Sequence, residues 1–182
     1  MKVIPCEIAG LLVIEPKVFG DERGYFFEMW QASRYSEAGM VDGFVQDNIS
    51  RSRRGTLRGL HFQNPNSQGK LVSVLEGEVF DVAVDLRKSS ATFGRWHGLV
   101  LSGETKRQFF IPPGFAHGFE VLSETALFHY KCTKLYSSKD ELTLRWDDLD
   151  LAIQWPLREP MLSERDQKGL RLKDLPTECL FQ

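Results

Sequence analysis

The chain has 182 residues and a formal net charge of −2, with 42% hydrophobic and 26% charged side chains. That is room for one domain with a sizeable core, or at most two small ones, in the composition of an ordinary globular protein. The near-balanced charge argues against nucleic acid or an anionic membrane as partner, so any anionic ligand has to be met by local cations.

In chain order, "MKVIPCEIAGLLVIEP" is apolar but broken by Pro5 and Glu7, with no small-residue cleavage site. It reads as an opening strand rather than a signal peptide, and no apolar run approaches membrane-spanning length. "QASRYSEAGM" predicts two helical turns stopped by Gly39. "RSRRGTLR" gathers Arg51, Arg53, Arg54 and Arg58; a basic cluster of this kind is usually surface, and the first three read as a solvated turn. "GTLRGLHFQNPNSQGKLV" then sets His61 between Leu60 and Phe62 in a strand-like run, with Arg58 before it and Lys70 beyond. "KLVSVLEGEVFDV" predicts two strands joined as a hairpin through Glu76-Gly77.

"EVFDVAVDLR" alternates with period two, placing Phe80, Val82, Val84 and Leu86 on one face and Asp81, Ala83 and Asp85 on the other. "WHGLVLS", "RQFFIP", "HGFEVLS" and "ALFHYKCTKLY" add strands, punctuated by Gly103, Pro112-Pro113-Gly114 and Ser123-Glu124. "SERDQKGL" begins like a capped helix, Ser163 at the cap and Asp166 three residues on. Cys6, Cys132 and Cys179 are widely spaced without a C-x-x-C pair, which argues against a disulfide framework or zinc site and suits a reducing, cytoplasmic setting. Many short strands with few short helices predict a mostly-β jelly-roll sandwich or barrel, with residues 1–182 as a single domain.

His61 has three readings at this point: a buried structural residue, a metal ligand or a base. The segment "FFIPPGFAHGFEVL", with Pro112-x-Gly114-x-x-His117, resembles the second motif of the cupin barrels. Metal-binding cupins carry two histidines one residue apart in their first motif. Here that place reads His61-Phe62-Gln63, one ligand short of a tight site. The expectation is a barrel mouth with no metal and no cofactor.

Five further segments make the likeness more specific: "FGDERGYFFE", "FVQDNISRSRRGTLRGLHFQ", "VFDVAVDLRKSSATFGRW", "HYKCTKLYS" and "WPLREPMLSERD". With R-G-L-H-F-Q, the later Lys70 and P-P-G-F-A-H-G-F, the chain resembles the dTDP-4-dehydrorhamnose 3,5-epimerase family from about Phe19 to Gly169. The resemblance implies a cupin-like jelly roll acting on a dTDP-linked 4-keto-6-deoxy sugar on the way to L-rhamnose. It implies His61 as the base, held by Asp166, with Lys70 near the enolate oxygen and Tyr130 as the acid on the opposite face. It further implies Arg23 and Arg58 at the diphosphate and nucleotide, Gln46 and Asn48 in the same cleft, and Glu28 at the nucleotide base. Tyr136 would stack on thymine, Glu141 would join the ligand shell, and His117 would line the pocket, with Asp81 a candidate to orient it. Family members work as homodimers that exchange N-terminal strands, which Met1 to Pro16 would supply, and the tail from about 163 to 182 would pack near the barrel mouth.

The chemistry asks for these residue types. A hydrogen beside a ketone is weakly acidic, so its removal needs a base in contact and a donor or cation at the developing enolate oxygen. Inversion then needs a proton on the opposite ring face, which a phenol protonated at neutral pH can deliver. Plainer readings stand beside these: Asp166 as a helix cap, Lys70 as a solvated strand end, Tyr130 as core. So do rival activities, namely epimerisation at C3 or C5 alone, 3,4-ketoisomerisation, a metal-dependent cupin reaction, or nucleotide-sugar binding without turnover.

Overall fold

The computed structural model describes all residues from Met1 to Gln182. The strands begin with β1 (Lys2–Pro5), β2 (Leu12–Glu15), β3 (Val18–Asp21) and β4 (Gly24–Phe27), followed by helix α1 (Ala32–Glu37). Next come β5 (Gln46–Arg53), β6 (Leu57–Gln63), β7 (Lys70–Glu76), β8 (Glu78–Asp85) and β9 (Trp96–Ser102). The last are β10 (Gln108–Ile111), β11 (Phe115–Val121), β12 (Thr125–Cys132), β13 (Glu141–Thr143) and helix α2 (Glu164–Gln167).

Two antiparallel sheets face each other, a six-stranded one ordered β1-β2-β10-β7-β12-β5 and a five-stranded one ordered β13-β6-β11-β8-β9. This is the mostly-β, cupin-like jelly roll expected. The period-two alternation places the core: Val72, Val74, Phe109, Ile111 and Phe128 of the first sheet meet Val79, Ala83, Phe115, Phe119 and Val121 of the second. α1 is the predicted short helix, with Gly39 at φ +96° just beyond it.

Three expectations need correcting. β7 and β8 do not form a hairpin: at Gly77 the chain leaves one sheet and enters the other. Gly77 has φ +79°, and a Cβ there would lie 2.1 Å from the Thr125 carbonyl oxygen, so only glycine makes this crossing. Arg51 and Arg53 lie on β5 rather than in a turn, although both are exposed. The apolar face of β8 points away from the inter-sheet core: Val82, Val84 and Leu86 pack outward against Leu151, Leu172 and Leu175 of the tail, while Asp81 and Ala83 turn inward. With both faces covered, alternation alone does not say which is interior. Residues 18–27 form a separate two-stranded ribbon, β3–β4, and β1 and β2 lie in the six-stranded sheet.

The turn that follows β8 is held by a buried ion pair. Asp85, fully buried, receives Arg87 through Nε at 2.8 Å and Nη2 at 2.7 Å, and the Ser90 and Thr92 hydroxyls at 2.7 Å each. The Arg87 guanidinium lies 4.5 Å from the Phe115 ring centroid. Burial alone raises the Asp85 carboxyl pKa, but these donors outweigh it and hold it down to about 2. Because the folded-state value is depressed, the stabilisation is present above the unfolded pKa of about 4 and fades as pH falls towards 2. Asp85→Asn is expected to cost about 2–3 kcal/mol at pH 7, the linkage value of such a shift. Urea unfolding of both proteins between pH 7 and 2 checks this; the gap should shrink as pH falls.

Candidate active site

His61 enters the space between the sheets because β6 and β11 approach closely. Gly59 takes φ +131°, and a Cβ on it would lie 2.5 Å from the Gly118 Cα. Two facing glycines remove that clash, and the register then sets His61 directly opposite His117. Alternation turns Leu60 and Phe62 to the outer cluster and leaves His61 facing the interior.

The tail supplies its partner. β13 pairs with β6, the Leu57 amide donates to Met161 O at 3.0 Å, and the Leu170 amide donates to Thr143 O at 3.0 Å. These bonds clamp α2 against β6, where Ser163 caps the helix and Asp166 is buried with 2% exposure. His61 Nε2 lies 2.5 Å from Asp166 Oδ1. Burial pushes the Asp166 carboxyl up, but His61 and Ser163 more than compensate, so it sits below the usual carboxylate range. A carboxylate can only accept, so Nε2 carries a proton, and in the neutral tautomer the free lone pair is then on Nδ1. Asp166 is thus both a capped residue and the partner of His61, where sequence reasoning posed these as alternatives.

The opposite wall comes from the other sheet. Tyr130 and Lys70 project inward from β12 and β7, which are adjacent strands of the six-stranded sheet. Tyr130 has no hydrogen-bond partner within the chain, and burial, then Cys132 and Glu141, raises its phenol above the ordinary value. Lys70 forms no ion pair; burial lowers its ammonium, opposed by Cys132, Glu141 and Asp81. His117 Nε2 donates to Asp81, whose two carboxylate oxygens both lie 3.0 Å away, as the sequence suggested, and burial drives the imidazole pKa down.

These groups line one cavity of about 430 Å³ together with Asn48, Arg58, Tyr136 and Glu141. Arg58 forms no ion pair and donates from Nε to Ser52 Oγ at 3.1 Å. Tyr136, half exposed at the rim, donates its hydroxyl to Glu141 at 2.7 Å. Gln46 stands just behind the lining, bonded to Asn48 at 2.9 Å and to the Tyr136 amide at 2.8 Å. Arg23 and Glu28 are not brought there. Arg23 sits at the β3–β4 tip beside Asp21, and Glu28 pairs with Arg34 at 2.5 Å.

The structure adds lining residues that sequence reasoning did not single out: Ser50, Gln68, Phe119, Phe128 and Arg165 among them. Phe119 and Phe128 stack at 4.0 Å as the cavity floor. Each lies two residues from a predicted site residue, so strand alternation carried the signal. Arg165, bonded to Glu141 at 2.6 Å, gave none beyond its neighbour Asp166.

A family model described as dTDP-4-dehydrorhamnose 3,5-epimerase matches residues 5–174. The dTDP-4-dehydrorhamnose 3,5-epimerase of Shigella flexneri is 53% identical over 176 residues, covering 96% of this chain and 97% of that protein. A crystal structure of a dTDP-6-deoxy-D-glucose-3,5-epimerase from Legionella pneumophila, in complex with dTDP-4-keto-L-rhamnose, superposes with a TM-score of 0.97 at 55% identity, covering 100% of this chain and 97% of that one. A 3′-monoepimerase from Streptomyces bikiniensis bound to dTDP-quinovose superposes with a TM-score of 0.88 at 33% identity, covering 93% and 87%.

An unpaired ammonium in a closed site costs stability. The folded state holds the Lys70 proton less tightly than the unfolded chain does, so below its folded pKa the charge favours unfolding. Lys70→Met is expected to raise the unfolding free energy at pH 7 by about 1 kcal/mol, the scale of a stability–function trade-off. Chemical denaturation measures it, and a clear loss of stability would mean that Lys70 serves packing instead.

Proposed function

The chain belongs to the dTDP-4-dehydrorhamnose 3,5-epimerase family, and from that premise we propose how its pocket inverts C3 and C5 of dTDP-4-dehydro-6-deoxy-D-glucose to give dTDP-4-dehydro-L-rhamnose. The observation that carries the reading is the placement of His61 and Tyr130 on facing sheets of one cavity. A ring lying between the sheets presents one face to an imidazole and the other to a phenol.

Neutral His61, its Nε2 proton directed to Asp166, takes a proton from the carbon beside the ketone at Nδ1. The electron pair moves onto the C4 oxygen, and the Lys70 ammonium, with no carboxylate neutralising it, stabilises the enolate. Such a preorganised charge is worth about 10²–10³ in rate. Tyr130 then delivers a proton from the other wall, and inversion is complete. C3 and C5 both flank C4, so one ketone and one enolate oxygen serve both carbons. Arg58, unpaired and guanidinium-forked, suits the diphosphate, while Asn48, Gln46, Tyr136 and Glu141 form the nucleotide end. His117, braced by Asp81, supports the sugar end.

Arg23 and Glu28 fit this scheme through a second copy. The ribbon that carries Arg23 exposes Phe19, Tyr25 and Phe26 at 53%, 60% and 70%, an apolar finger with little of its own chain to pack on. In the proposed homodimer each ribbon reaches its partner's cavity and brings Arg23 and Glu28 to the nucleotide. A cytoplasmic setting fits a chain whose three cysteines are all free.

Turnover in heavy water tests the chemistry. The product of the unmodified enzyme should carry deuterium at both C3 and C5. His61→Asn should slow exchange at both by about 10²–10⁴, and Tyr130→Phe should allow exchange while suppressing inversion. Unchanged exchange in His61→Asn would sink the mechanism. For the dimer, mixing inactive Arg23→Ala and His61→Asn chains should restore about a quarter of full activity, since half the dimers then hold one complete site. No recovery after subunit exchange would mean that Arg23 does not serve the partner's site.

A further inference from the structure

Asp166 has two carboxylate oxygens, and only one faces His61. The other, Oδ2, accepts a hydrogen bond from the Ser163 hydroxyl at 2.8 Å, and the same Ser163 Oγ accepts from the Asp166 backbone amide at 3.1 Å. Ser163 also lines the cavity. One side chain therefore grips Asp166 at both ends, the amide through its lone pair and the carboxylate through its proton. The second bond is not required for capping, which uses only the oxygen as acceptor.

We infer that Ser163 is a positioning residue for the base: its hydroxyl fixes the rotamer and charge of Asp166 and, through it, the orientation and tautomer of His61. The inference rests on His61 and Asp166 acting as read above. Three features carry it. Asp166 is 2% exposed, so water cannot readily replace a lost donor to Oδ2. The helix spans only Glu164–Gln167, too short to hold its side chains by its own stability, so the approach of Asp166 depends on local bonds. And the only other side-chain donor to the Asp166 carboxylate is the imidazole itself. With Ser163 silent, the carboxylate would be free to rotate away from Nε2 or to take up a proton, and either would release the ring.

The experiment separates donation from capping. Ser163→Gly leaves the helix cap almost intact and Ser163→Ala removes it, yet both lack the hydroxyl; Ser163→Thr restores it. The expected result is a fall in kcat of about tenfold or more in both Gly and Ala variants, the scale of one hydrogen bond to a charged group, with KM within about twofold and most activity recovered by Thr. In an Asp166→Asn background, adding Ser163→Gly should change kcat no further, because the carboxylate it acts on is already gone. The inference is overturned if Ser163→Gly turns over like the unmodified enzyme while only Ser163→Ala falters, or if Ser163→Gly costs the same factor with and without Asp166. His61→Asn run alongside distinguishes the two levels. An active His61→Asn enzyme would remove the reading of the site itself, whereas an inert one beside a fully active Ser163→Gly enzyme would remove only this role of Ser163.

Discussion

The contact between His61 Nε2 and Asp166 Oδ1, at 2.5 Å and across 105 residues of sequence, is the constraint on which the site depends. Local structure alone places neither partner. His61 faces inward only because Gly59 and Gly118 let two strands meet backbone to backbone. Asp166 arrives only because the tail is hydrogen-bonded to the barrel on both sides of α2, by Leu57 to Met161 and by Leu170 to Thr143. The apolar outer face of β8 matters for the same reason: packing Leu151, Leu172 and Leu175 against Val82, Val84 and Leu86 holds the returning chain in place. Burial on the outside of the barrel thus positions a proton acceptor on the inside.

The cavity divides its labour between the sheets. The five-stranded wall carries two imidazoles, each backed by a carboxylate, His61 by Asp166 and His117 by Asp81. The six-stranded wall carries Tyr130 and Lys70, neither of which has a partner within the chain. Groups already satisfied are fixed in orientation, and groups left unsatisfied are available to a ligand. Keeping Lys70 unpaired is unfavourable for folding, and in the proposed mechanism the same unneutralised charge stabilises the enolate. Arg58 also lines the cavity without an ion pair, a local cation in a chain of net charge −2, and in the proposed reading it meets the diphosphate.

Much of this was legible in the residues. Period-two alternation gave the strands and put Tyr130 and Phe128 on one face. The Pro-Pro-Gly turn announced the strand that bears His117, and Ser163 announced the helix that bears Asp166. What alternation could not give was which face of β8 is interior, since the tail buries the side away from the core and no local pattern encodes a cover that arrives about 70 residues later in the chain. Gly77 misled for a related reason. A glycine at positive φ serves a hairpin and a sheet-to-sheet crossing equally well, and only the partners of the flanking strands distinguish them. Arg165 stayed hidden because a single arginine on a short polar helix has no periodicity to betray its direction. The β3–β4 ribbon was seen as a motif but not as a projection, because a run such as Tyr25-Phe26-Phe27 reads as it would in any buried strand.

The central claim is that His61 stands neutral, its proton on Nε2 towards Asp166 and its lone pair on Nδ1 towards the substrate. Nitrogen-15 NMR of the imidazole side chains, with His61 assigned by substitution, reads this directly. The account predicts a protonated Nε2 and an unprotonated Nδ1 at pH 7, with the Nε2 signal moving towards an unbonded value in Asp166→Asn. A ring protonated on Nδ1, or one indifferent to the loss of Asp166, would contradict it.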